Sequence, residues 1–348
     1  MKVILADPIS WTQNGVQGGH YRAVAENYAA IFEGRDFVVA GGPIYKSWCD
    51  KLLELPCNQS SNFGHWKNKI VALQNCRALF RSTKGASVVL QSAGFATELL
   101  GVLLFADKKS KVFLIQYQPL NSRPLFCRIL YFLARRKLRG VICPNDEVGR
   151  SFGGAYCIVP DYIYVGDGES ILDTGDEAQY DFTSVGIQCR DKGSLEFARR
   201  IAETEYTLLV AGHASNPAFK RDLETLAANH SNIHLDLRYL TKAEYDKAIA
   251  SGTYCVLNYT DAYSIHSSGV VYDMLYRGKP IVGRRCSALS VVGETGTGFL
   301  YDSLEKFDPV VLFDGRLERY KASVRRYLSH SRVFARQLVD FLECSNSE

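Results

Sequence analysis

Short apolar, β-branched runs alternate along the chain with longer stretches whose apolar positions recur every three to four residues. A strand buried on both faces reads as an unbroken apolar run, whereas a helix laid on a sheet keeps one apolar stripe. The alternation therefore predicts an α/β protein of parallel sheets covered by helices. In the first half, strands are expected at residues 2–6, 37–40, 87–91, 112–116, 140–143 and 156–159. After Pro160 the stretch DYIYVGDGESILDTGDEAQYD is acidic, aperiodic and Gly-containing, as a linker and the entry to a second unit would be. The pattern then restarts, with strands expected at 182–186, 206–211, 233–237, 254–258, 280–283 and 298–301. A last helical pattern begins near Leu317.

These elements divide into a Rossmann-like domain at 1–160, a second at 161–316, and a C-terminal helix at 317–348 placed to pack back on the first. Doubly wound sheets bind ligands beyond the carboxyl ends of their strands, where strand order reverses. Two such domains are expected to face one cleft.

Composition narrows the class. Of 348 residues, 47% are hydrophobic and 22% charged, as in a soluble protein of about two domains. No apolar run approaches the roughly 18 residues of a spanning helix, and the start, MKVILADP, enters a strand pattern rather than a signal peptide. The expected location is the cytoplasm. The ten cysteines form no CxxC pair, which points away from a metal or disulfide framework.

The net charge of +4 hides an asymmetry: residues 1–160 hold 20 Lys/Arg against 10 Asp/Glu, and the remainder 21 against 27. Between Lys67 and Arg139, 14 basic residues meet only Glu98 and Asp107. Such a block implies an anionic partner surface.

Three segments carry candidate chemistry. The first, Asn14-Gly15-Val16-Gln17-Gly18-Gly19-His20, falls between the first strand and a helix expected near Tyr21. Glycines there allow close backbone approach, and a helix start offers unpaired N–H groups to an anion. Gly18 and Gly19 are candidates for the donor side, and Gly15 and His20 for the acceptor or sugar side, together with Gln116 at the end of an expected strand. A ligand-free βα loop is the plain alternative. The spacing is not GxGxxG and no ribose-reading acid follows, which argues against a dinucleotide oxidoreductase.

The second segment, Val185 to Gly193, sets Arg190 and Lys192 just beyond a strand end, where cations can clamp a diphosphate and hold charge growing on a leaving group. The third is Ser267-Ser268-Gly269-Val270-Val271-Tyr272-Asp273-Met274-Leu275-Tyr276-Arg277-Gly278-Lys279-Pro280-Ile281-Val282. Ser268, Gly269 and Val270 open a helix and aim amides at a phosphate, and Asp273 stands one turn on, able to accept from ribose hydroxyls. Gly278 ends the helix and Pro280 opens the next strand. Plain helix capping would leave the same pattern.

The run SSGVVYDMLYRGKPIV resembles the donor-binding segment of GT-B glycosyltransferases, above all glycosyltransferase family 4, with its Gly-containing helix start and E-A-x-A-x-G-x-P-V-I. Gly278 and Pro280 match that pattern, and Asp273 falls on its second glutamate. Lys192 and Gly193 match the family's G-R-x-x-x-K-G, with Ile187 on its arginine and Arg190 as the nearby substitute. The first glutamate of E-x7-E falls on Ile265, beside His266 and after Asp261. The resemblance implies a nucleotide-sugar donor contacted by His266, Ser267 and Ser268, no metal, no further cofactor, and transfer with retention. Arg190 and Lys192 would neutralise the departing diphosphate.

A fourth stretch, 123–139, joins bulky apolar residues to six cations, Pro124 suits a first helical turn, and a buried helix with a basic end is its bland reading. Such a helix can rest on the anionic inner face of a membrane, giving purpose to a lipid-linked acceptor. No nucleic-acid motif is present. The expected function is sugar transfer to a saccharide or lipid-linked acceptor in surface polysaccharide or glycoconjugate synthesis. The gap at Ile265 leaves two alternatives: a non-catalytic glycosyltransferase-like partner subunit, or a sugar-nucleotide 2-epimerase on the same architecture.

Overall fold

Every strand pairing among the described residues is parallel. The computed structural model describes residues 2–9, 19–58, 64–91, 95–107, 109–160, 162–165, 178–261 and 268–344. The chain divides into two compact units, one of Met1–Val165 with Arg332–Glu348 and one of Gly166–Ser331.

The first unit holds β1 (Lys2–Ala6), β2 (Asp36–Gly41), β3 (Leu52–Glu54), β4 (Ser87–Leu90), β5 (Lys111–Ile115), β6 (Leu138–Cys143) and β7 (Tyr156–Ile158). Their order is β3-β2-β1-β4-β5-β6-β7, which reverses between β1 and β4. Six of these were expected. The edge strand β3 is three half-buried or exposed residues, too short for periodicity to reveal. Helices α1 (Gly19–Ile31), α2 (His65–Ser82), α3 (Phe95–Phe105), α4 (Leu125–Ala134) and α5 (Asp146–Ser151) fill the crossovers. Cys76, Leu79, Leu99, Val102, Leu130 and Tyr131 pack α2, α3 and α4 against Ile4, Val88, Val112 and Leu114 of the sheet. The basic stretch ends differently from expectation. Arg135–Lys137 form a 3-10 turn, and Leu138 and Arg139 already belong to β6.

The second unit holds β8 (Tyr180–Val185), β9 (Leu208–Ala211), β10 (Ile233–Asp236), β11 (Gly252–Leu257), β12 (Ile281–Arg284) and β13 (Gly298–Tyr301), in the order β10-β9-β8-β11-β12-β13. The reversal falls between β8 and β11. All six were expected, to within two residues at most ends. Helices α6 (Ser194–Ala202), α7 (Pro217–Asn229), α8 (Lys242–Ala250), α9 (Gly269–Leu275), α10 (Ser290–Thr295) and α11 (Val310–Phe313) connect them. An aromatic core holds this unit: Phe182 meets Phe197 edge-on at 5.5 Å, and Tyr301 stacks on Phe307 at 4.7 Å.

The expected boundary at 160 is passed by the first unit, which runs on to Val165. Ile163 is buried there, and its backbone N–H donates to Asn27 Oδ1 at 2.9 Å. The last helix, α12 (Arg316–Cys344), counts with the second unit up to Ser331 and with the first from Arg332. In the first unit, Phe341 meets Phe113 edge-on at 5.4 Å.

Candidate functional site

In the second sheet the crossovers leave β8 and β11 in opposite directions, which opens a notch beyond their carboxyl ends. The loops that leave these strands are tied together. Buried Asn258 donates through Nδ2 to the Gly193 carbonyl at 2.8 Å and accepts through Oδ1 from the Tyr301 hydroxyl at 2.8 Å. Thr260 donates its N–H and its hydroxyl to the Asp191 carbonyl, each at 3.0 Å.

Local chemistry fixes the loop after β8. Gly186 has a φ of +116°, a backbone that residues with a side chain rarely adopt. Gln188 is fully buried, and its Nε2 donates to the carbonyls of Ser184, Gly186 and Ala211 at 3.1, 3.2 and 2.9 Å. A 3-10 turn over Arg190–Lys192 then delivers Gly193 (φ +63°), which starts α6 without a side-chain cap.

The result places Lys192 at a defined point. Its Nζ lies 3.3 Å from where a Cβ on Gly186 would stand, and Val270 Cγ2, in the first turn of α9, lies 3.8 Å from that same point. Desolvation pushes the Lys192 pKa below the ordinary lysine range. Among the described residues its ammonium forms no ion pair and no hydrogen bond. A half-buried cation given no counter-charge is costly unless an anion completes it. Gly186 has no side chain to stand against that ammonium.

The other expected site residues divide. Arg190 is exposed and its guanidinium pairs with Asp222 at 3.1 Å, so it is not committed to the notch. Ser268 caps α9 in position but not through its side chain: its buried hydroxyl shares a 2.6 Å hydrogen bond with that of Tyr259. Gly269 and Val270 are the first two residues of α9. Asp273 turns toward α8, where it accepts from the Tyr245 hydroxyl at 3.0 Å and lies 3.9 Å from Arg277, itself paired with Asp246. Burial raises its pKa against the lowering pull of Arg277 and Tyr245. The helix closes as a Schellman turn, with Gly278 N–H donating to Leu275 and Lys279 N–H to Met274, at 2.9 and 3.1 Å. Gly15, Gly18, Ile265, His266 and Ser267 lie outside the described residues, as does the His20 side chain. Gly19 and His20, read as loop, open α1.

The first unit has its own polar cluster at the β1/β4 reversal. Buried Asp7 accepts from the Tyr45 hydroxyl at 2.9 Å and from the Ile9 N–H at 3.1 Å, and Gln91 donates to Tyr45 at 3.4 Å. Gln116, fully buried beyond β5, accepts from Arg123 Nη2 at 3.2 Å, while its own Nε2 has no partner among the described residues. The Arg123 guanidinium sits 5.0 Å from the Phe95 ring centre. Sequence reasoning missed the roles of Asp7, Tyr45, Gln188 and Asn258. Asp7 and Asn258 each follow directly on an apolar strand run, the one signal that pointed to them. Among the described residues no group of three His, Cys, Asp and Glu side chains is placed to hold a metal ion.

Two parallel sheets, each with the 3-2-1-4-5-6 reversal, match solved structures over the full chain. The fold is GT-B. A glycosyltransferase from Rickettsia africae is 13% identical with a TM-score of 0.72, covering 100% of this chain and 99% of that one. The HepE protein of Anabaena in complex with UDP is also 13% identical, with a TM-score of 0.69, over 99% and 100%. The trehalose-6-phosphate synthase OtsA is 7% identical with a TM-score of 0.72, over 99% of each. By sequence, no family model and no curated protein matches.

Proposed function

We propose that the protein is a glycosyltransferase that moves a sugar from a nucleoside-diphosphate sugar to a saccharide or lipid-linked acceptor in surface polysaccharide or glycoconjugate synthesis. The observation that carries this reading is the desolvated, unpaired ammonium of Lys192 beside Gly186 and the first turn of α9. A diphosphate supplies the charge that Lys192 lacks, and the bare backbone of Gly186 lets it approach. The fold is shared with HepE, of which complexes with UDP and with UDP-glucose are known.

In this reading the bond from the sugar's anomeric carbon to the phosphate oxygen breaks as the acceptor oxygen bonds to that carbon. The diphosphate keeps the electron pair, its departing oxygen takes the proton of the acceptor hydroxyl, and Lys192 stabilises the charge where it grows. Arg190 joins by leaving Asp222, an exposed pair that costs little to open. The resemblance to glycosyltransferase family 4 favours retention, a hexose as the sugar, and chemistry without a metal or other cofactor. Asp273 acts through the position of α9 or, by exchanging its Tyr245 contact, on the ribose.

Calorimetry with UDP, GDP, CDP and TDP tests the reading, followed by transfer assays with sugars of the nucleotide that binds. At least one nucleotide should bind the wild type, and Lys192→Met should weaken it while the protein stays folded. Failure of all four to bind would overturn the proposal. Binding without transfer, hydrolysis or epimerisation would identify the partner-subunit alternative. Epimerisation of the donor without acceptor would identify the 2-epimerase.

A further inference from the structure

Helix α4 is apolar on both of its faces. Cys127, Leu130, Tyr131 and Ala134 turn inward to the core of the first unit, as a helix on a sheet must. Leu125, Phe126, Ile129, Phe132 and Leu133 form a second stripe at i, i+1, i+4, i+7 and i+8, and each is between 50% and 67% exposed. A helix facing only water carries polar residues there. Two arginines one heptad apart, Arg128 and Arg135, edge the stripe, and the Arg135 guanidinium lies 4.2 Å from the Phe132 ring centre. Arg136 is exposed in the 3-10 turn that follows the helix. No described carboxylate pairs with any of the three.

The same layer continues the pattern. Trp66 and Ile70, one turn apart near the start of α2, are 76% and 57% exposed, and Lys69 Nζ lies 4.9 Å from the Trp66 ring centre. In a parallel sheet the crossover helices run against the strands, so the starts of α2 and α4 lie at one edge of the layer. Of the acids among the 14 basic residues between Lys67 and Arg139, Glu98 is buried, leaving Asp107 alone at the surface.

We propose that this outer face of the first unit docks on a lipid bilayer bearing anionic headgroups. The α4 stripe enters the headgroup boundary, and Arg128, Arg135 and Arg136 meet the lipid charges. An apolar face rimmed by unpaired cations, with an aromatic ring at the edge, has the chemistry of an interfacial helix. A second copy of the chain fits poorly, since residues 123–139 hold no Asp or Glu and the same face would offer these arginines no counter-charge. The proposal concerns a different surface from the notch at Lys192 and stands whether or not nucleotide binds there.

Co-sedimentation of the full chain with vesicles tests it, using phosphatidylcholine alone or mixed with phosphatidylglycerol. The wild type should pellet with the mixed vesicles and far less with phosphatidylcholine, and added salt should release it. Phe126→Ser with Phe132→Ser, and separately Arg128→Glu with Arg136→Glu, should each lower the partition by about tenfold or more. Wild-type protein left in the supernatant with mixed vesicles would overturn the proposal, as would both variants binding like the wild type. A dimer in sedimentation velocity that Phe126→Ser with Phe132→Ser dissolves would assign the face to a second copy instead.

Discussion

The Asn258 side-chain amide donates to the Gly193 carbonyl at 2.8 Å, and a Cβ on Gly193 would fall 2.0 Å from the Asn258 carbonyl oxygen. The loop after β8 and the end of β11 are thus in contact through atoms that leave no space for a side chain. Gly193→Ala should destabilise the second unit by at least about 1–2 kcal/mol from its left-handed backbone alone, with the overlap adding more. Urea unfolding measures it, and a loss under half a kcal/mol would show that the loop re-forms around the methyl group.

Lys192→Met should weaken nucleoside-diphosphate binding about tenfold or more, the worth of a charge-assisted hydrogen bond. The unliganded protein should be no less stable, because the substitution removes a desolvated charge. Isothermal calorimetry and thermal unfolding read the two effects separately. A variant that loses stability and keeps its affinity would make Lys192 a structural residue.

The lowered Lys192 pKa also fixes the sign of a pH effect. Between the folded-state pKa and the ordinary lysine range, the unfolded chain binds more protons, so this group's contribution to stability rises with pH across that window. An anion favours the protonated form, so affinity should fall as pH climbs through the same window, with proton uptake on binding. Calorimetry in buffers of differing ionisation enthalpy detects the uptake, and Lys192→Met should abolish it.

Gln188→Leu should cost about 1–3 kcal/mol or more, because the carbonyls of Gly186, Ser184 and Ala211 lose a shared donor in a buried place. Since Gly186 stands beside Lys192, nucleotide affinity should fall too. Denaturant unfolding and calorimetry on the same variant check both, and unchanged affinity would separate the loop's shape from ligand binding.

Glu244, in the capping box of α8, accepts from the Thr241 N–H and pairs with Arg238, which hold its carboxyl down to about 2. Its stabilising effect is present above the unfolded-state value of 4.5 and is lost as pH falls from there toward about 2. Glu244→Gln should flatten the stability profile in that window, and an unaltered acid limb would remove this group from it.

By itself the sequence determined the two parallel-sheet units and twelve of their strands, because a strand covered on both faces must be apolar throughout and Val, Ile, Leu and Phe record that directly. It also determined the α9 segment, since Gly278 and Pro280 punctuate a helix and a strand by backbone sterics alone. The three-residue edge strand β3 carried too few positions to show a pattern. Lys192 and Arg190 look alike in the chain as two cations two residues apart. Only the tertiary structure decided that one is desolvated against Gly186 and Val270 while the other pairs with Asp222 in water, because desolvation depends on what packs around a charge. Likewise the spacing of α4 shows apolar residues on two faces, and only the packed sheet decides which face is covered and which is left exposed.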